Sequence, residues 1–220
     1  MGKTYKNLFL ASLSGILLGL ALIFPFLNSL IFISFVPLFL VLNHLDKPTK
    51  KSFFLFGFLT GLVYFLFVFS WFWSIDPSAS FGIKSQIAGF SAIFIIYFIS
   101  AVDMAIFWGF FATFWPKKNS SFSWRIFLSL PASFIFFEFI RSYAFGVLWA
   151  GSETFLGSHW TMGNLAYLTS SSHLFLYLAQ FIGIYGISFI VLFLNLLLFY
   201  FIKRKNIFYT LFALIFIFLV

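Results

Sequence analysis

The stretch that decides the fold is Leu178–Ile202, LAQFIGIYGISFIVLFLNLLLFYFI, which runs for 25 residues without a charge. At about 1.5 Å of rise per helical residue, some 20 such residues cross the roughly 30 Å of hydrocarbon in a bilayer. Working outward, the pattern recurs. Leu8–Leu27, a short Pro37-bearing run at Asn28–Asn43, Ser52–Trp73, Gln86–Trp115 and Trp124–Tyr143 precede it, and another run opens at Ile207. The sequence therefore predicts an all-α polytopic membrane protein with about seven transmembrane helices in one domain, residues 1–220. The last helix is expected to be incomplete, because Ile207–Val220 gives only about 21 Å of helix, which reads as the end of a fragment.

Composition agrees. Hydrophobic residues make up 63% of the 220 and charged ones 8%, against about 25% charged in soluble domains, which excludes a water-exposed globule. Disorder is excluded by 40 Phe, 9 Tyr and 7 Trp, far more apolar surface than an unfolded chain keeps in water. Without cysteine the chain has no disulfide, thiolate metal site or thiol nucleophile of its own, and no cysteine to be lipidated. The formal charge of +8 comes from basic residues in alternate loops: Lys3 and Lys6; Lys47, Lys50 and Lys51; Lys117, Lys118 and Arg125; Lys203, Arg204 and Lys205. With a cytoplasmic N-terminus, only Lys84 and Arg141 escape the cytoplasmic side, so the charge encodes orientation and no nucleic-acid partner is expected. The first run has no small-x-small cleavage site and reads as an uncleaved helix.

Residues 144–177 break the pattern. They are too polar to span, yet Glu153 is their one ordinary charge, so they are expected to form an interfacial or re-entrant segment on the outer side. Inside the membrane, Asp103, Glu138 and Arg141 are the ionisable groups. Glu138 and Arg141 lie three apart on one helix face, which fits either a structural ion pair or a pair that orients a polar substrate group. His159 and His173 have no carboxylate at ligand spacing, so neither a metal nor a cofactor is expected. Gly15/Gly19 and Gly57/Gly61 have the small-xxx-small spacing of closely packed helices. The serines at 170–172 come with no GxSxG elbow.

The order of these features resembles the N-terminal membrane domain of bacterial apolipoprotein N-acyltransferase. LSGILLGLALIFPFLN from Leu13 is similar to that family's first helix with its Phe-Pro turn, and FGFLTGLVYFLFVFSWFWSIDPS from Phe56 to its Gly-rich third helix and tryptophan-bearing loop. LPASFIFFEFIRSYAF from Leu130 resembles its Pro-Ala...Glu-x-x-Arg helix, and the Gly-x-Tyr-Gly-x-Ser-Phe stretch within Met162–Asn195 leads into its sixth helix. Between Gly146 and Met162 the chain departs from the family's compact Gly-Phe-Pro-Trp turn.

The resemblance implies transfer of an acyl chain from a phospholipid donor to the α-amine of a diacylglyceryl lipoprotein at the outer face of the bacterial inner membrane. It also implies a Glu-Lys-Cys triad in a nitrilase-like domain, in cis or on a separate chain. No such domain is expected within these residues and no catalytic residue is assigned, so this chain would supply anchoring and lipid access. Glu138, Arg141, Trp149, Trp160 and Tyr167 are the residues expected to meet substrate. The alternatives are a non-enzymatic lipid-binding or assembly protein derived from that family and a small transporter. The transporter has the least support, since buried charges are few and no broken-helix pair is evident.

Overall fold

The computed structural model describes residues 2–46, 48–116, 124–149 and 159–205, apart from the side chains at 145 and 149. Among them six helical segments are long and apolar enough to cross a membrane, matching the first six predicted runs. The run from Ile207 lies outside the described residues.

The spans are α1 (Gly2–Ile23), a 3-10 turn at Pro25–Phe32 continued by α2 (Val36–His44), α3 (Lys50–Val68), α5 (Gln86–Ala112), α6 (Trp124–Trp149) and α7 (His173–Lys203). A short helix, α4 (Pro77–Phe81), lies between α3 and α5. Local chemistry sets these limits. Pro25 stops α1 short of the predicted Leu27, since its ring removes an N–H and blocks the turn before it. Thr49 and Ser52 cap α3 reciprocally, each side chain meeting the other's backbone N–H. Asp76 caps α4 by accepting from the Ser78 amide and hydroxyl, both at 2.9 Å. Those two bonds hold its carboxyl below the ordinary carboxylate range, so this cap is present at neutral pH and is lost only in acid below that range.

Chain direction alternates. Lys3 meets Asp46, Lys50 donates to the Thr113 carbonyl and Lys203 donates to Asn43, which gathers the helix ends bearing most of the basic residues at one end of the bundle. Lys84 precedes α5 at the other end. Exposure is inverted relative to a soluble protein, with Phe9 at 64% and Ile87 at 83%, as expected where lipid is the solvent.

Small residues let the helices approach, and aromatic residues fill what remains. The Gly57 and Gly61 positions of α3 lie against Ala105, Trp108 and Ala112 of α5, and Gly15 of α1 lies against Thr60 and Val63 of α3, as the small-xxx-small spacing predicts. Trp108 sits at the centre, its ring 5.2 Å from Phe35, 5.3 Å from Tyr64 and 5.5 Å from Phe134.

Three expectations need correction. First, two spans are interrupted where the sequence suggested no broken helices. The helix that carries Pro37 is split at 33–35, and α7 breaks at Gly183, whose φ of 67° is a conformation other residues rarely adopt. Protein atoms satisfy the first break. Asn195 of α7 accepts from the Phe35 N–H at 2.9 Å and donates to the Ile31 carbonyl at 2.8 Å, while Ser14 of α1 accepts from the Leu38 N–H. The break is thus a packing joint between α1 and α7. Second, the segment expected at 144–177 is shorter at both ends, because α6 continues to Trp149 and α7 already starts at His173. Third, Glu138 and Arg141 do not pair with each other, for the reason given below.

Candidate functional site

Between α6 and α7, non-helical backbone runs from Met162 into a 3-10 turn at Leu165–Thr169. It is packed inside the bundle, with Asn164 and Leu165 both fully buried. Backbone at that depth has no water to turn to, so each polar group needs a protein partner. The spans provide them residue by residue. Arg141 Nη1 donates to the Met162 carbonyl at 2.8 Å, and Tyr64 of α3 donates its hydroxyl to the Gly163 carbonyl at 3.2 Å. The Arg141 guanidinium also donates to Asn164 Oδ1. Glu138 Oε1 accepts from the Leu165 N–H at 3.0 Å, and Ser188 of α7 accepts from the Ala166 N–H at 3.2 Å.

This arrangement explains why the two charges three residues apart do not meet. Each is spent on the chain that crosses above them, and each lies within Coulomb reach of the other without contact. Arg141 also reaches the Met104 sulfur of α5 at 3.1 Å and lies 5.1 Å from the centre of the Phe65 ring of α3. One buried guanidinium therefore joins α3, α5, α6 and the segment between α6 and α7. Asp103, adjacent to Met104, is within electrostatic range of Arg141, but its Oδ2 has no hydrogen-bond partner among the described residues. Glu138 Oε2, Arg141 Nε and Asn164 Nδ2 are likewise buried without partners there.

The held segment forms one wall of an open cavity of about 570 Å³, at the end of the bundle away from most of the lysines. Trp160, Thr161, Met162 and Tyr167 line that wall, facing Leu22 of α1, Val68 of α3 and Trp71. Thr161 and Tyr167 share a 2.5 Å hydrogen bond, and the Trp160 N–H donates to the Ser142 carbonyl at 2.8 Å. His159 also lines the cavity and meets the Tyr185 hydroxyl at 2.9 Å.

Of the five residues singled out in the sequence, Trp160 and Tyr167 line the cavity and Glu138 and Arg141 stand behind its wall. Trp149 ends α6, and its side chain lies outside the described set. Sequence reasoning missed Trp71, Met162, Gly163 and Asn164. The sequence marks Trp71 only as part of a tryptophan-bearing loop. Met162 and Gly163 act through carbonyl groups, which leave no mark on side-chain identity, whereas Asn164 was detectable as a polar residue inside a stretch too apolar to be a solvated loop.

No curated protein and no solved structure matches the chain. The family model for the apolipoprotein N-acyltransferase N-terminal domain matches residues 14–197, a range that contains the residues of the cavity wall and those that hold it. The chain belongs to that family and is a multi-pass membrane domain of the apolipoprotein N-acyltransferase type.

Proposed function

We propose that this chain is the lipid-gathering half of an enzyme that moves an acyl chain from a phospholipid to the α-amine of a diacylglyceryl cysteine. The observation that carries the reading is the open aromatic-walled cavity, whose wall is fixed by two buried charges. Its apolar faces suit acyl chains, and its indole and phenol groups suit the headgroup boundary where Trp and Tyr favourably sit. Trp149, closing α6 at the same end, joins Trp160 and Tyr167 as an interfacial anchor. Glu138 and Arg141 act through the wall, as positioning residues. With no cysteine in the chain, the thioester-forming group belongs to a nitrilase-like domain supplied in cis or by a partner.

The test supplies that domain and measures acylation of a diacylglyceryl lipoprotein at equal protein levels. Joint replacement Trp160→Ala and Tyr167→Ala is expected to lower the rate about tenfold, the scale of one lost aromatic contact. Glu138→Ala and Arg141→Ala are expected to lower it as well, by loosening the wall. Undiminished acylation in all three variants would remove the cavity assignment. Binding of labelled phospholipid with no acylation by any supplied domain would favour the non-enzymatic lipid-binding reading.

Orientation in the bacterial inner membrane belongs to the same proposal, with the lysine-rich end cytoplasmic and the cavity outward. The cysteine-free background makes it testable. Pro48→Cys and Ser80→Cys, both exposed and at opposite ends, are expected to be labelled by an impermeant maleimide from the inside and the outside respectively. Labelling of both from one face would overturn the topology.

A further inference from the structure

A second cleft, of about 740 Å³, opens at the basic end, far from the cavity just described. Its rim carries Lys3 and Lys6 from the first turns of α1 and Lys203 from the last turn of α7, with the amides of Asn7 and Asn43 between them. Its floor is apolar, formed by Leu10 of α1 and by Leu40 and Val41 of α2. The cleft exists because α2 is only 9 residues long and packs against both α1 and α7, so the longer helices stand apart around its end.

The lining keeps a net positive charge. Asp46 is its one acidic side chain among the described residues, and it sits 3.1 Å from Lys3 at the exposed edge. Lys203 donates to Asn43 Oδ1 at 2.9 Å, which fixes its ammonium at the rim, and Lys6 has no polar partner among the described residues. A site for free phosphate would be polar throughout. A cationic rim over an apolar floor, at the level where helix ends meet the membrane surface, fits an amphiphile.

We propose that this cleft binds the headgroup of an anionic phospholipid in the leaflet facing the basic end. Lys6 and Lys203 contact the phosphate, and Leu10, Leu40 and Val41 cover the first methylenes of an acyl chain. The site is independent of the acyl-transfer reading, because it shares no residue with the cavity at the other end.

The test is native mass spectrometry of the full chain released from detergent after incubation with phosphatidylglycerol, phosphatidylcholine or sodium phosphate. One phosphatidylglycerol is expected to be retained per chain, in preference to phosphatidylcholine by about tenfold or more, and millimolar phosphate is expected not to displace it. At about fivefold per basic residue, Lys6→Ala with Lys203→Ala is expected to lower retention about 25-fold. Lys203→Arg is expected to retain lipid, as is Lys84→Ala at the opposite end. Equal retention of both lipids by the unaltered chain overturns the proposal without recourse to any variant. Displacement by phosphate would show an ion site in place of a lipid site, and full retention by the double variant would place the lipid elsewhere.

Discussion

Arg141→Met is expected to destabilise the folded chain by about 3–5 kcal/mol, the cost of stranding buried acceptors together with a buried charge that the guanidinium offsets through space. The guanidinium is fully buried and donates to the Met162 carbonyl, Asn164 Oδ1 and the Met104 sulfur. Methionine fills much of the same volume but supplies none of those donors. It also leaves the Glu138 carboxyl, 2% exposed, with no positive group beside it. Reversible unfolding in mixed detergent micelles gives the energy, and hydrogen exchange gives its location. The amides of Asn164, Leu165 and Ala166 should exchange faster, while those of α3 and α5 around Trp108 should change little. Adding Glu138→Gln to Arg141→Met is expected to restore part of the loss, because glutamine removes the stranded charge and still offers an acceptor to the Leu165 N–H. A loss below about 1 kcal/mol with unchanged exchange would mean that water replaces the guanidinium, and that Tyr64, Glu138 and Ser188 hold the segment without it.

Gly57→Ala is expected to cost about 3 kcal/mol, the upper part of the range for overpacking a close contact. A Cβ there would lie 2.4 Å from the Ala112 Cβ and 2.5 Å from the Trp108 carbonyl oxygen. Neither atom can move unless α5 moves, and α5 also carries Trp108, around which Phe35, Tyr64 and Phe134 are arranged. Gly109→Ala in the facing helix is the control. The three atoms nearest its Cβ would all belong to the Phe54 ring, the closest at 2.7 Å, and that half-buried side chain can swing aside. Both substitutions gain up to about 1 kcal/mol of helix propensity, so Gly109→Ala should be near neutral. Equal unfolding energies for the two would show that α3 and α5 are not held at backbone contact.

The spans were legible because each is a long apolar run, and apolarity is what a bilayer selects. Their ends were less so. Wherever polar and apolar residues mix, as at 144–149 and 173–177, a helix continues through a stretch whose composition reads as loop, because the flanking apolar segment carries it. Glu138 and Arg141 stood out as charges in lipid, but helix-face geometry could say only that they were neighbours. Their partners include backbone groups more than 20 positions along the chain. Asn195 is the instructive miss. An amide deep inside the most apolar run was visible from the start, yet its role depends on the break at 33–35, which Pro25 and Pro37 hint at without locating.

The break at Gly183 bears on how the protein fits its membrane. Unbroken, the 31 residues of α7 would extend about 46 Å, well beyond the hydrocarbon slab, and the whole bundle would have to tilt or thicken the bilayer around it. With the direction changed at Gly183, the limb from Ile184 to Lys203 has a length of about 30 Å. The limb from His173 to Ile182 exposes Leu174, Tyr177 and Phe181 while Phe175 stacks on Phe32 at 5.4 Å, an arrangement suited to the headgroup boundary. Hydrophobic matching is thereby uncoupled from the length of the apolar run.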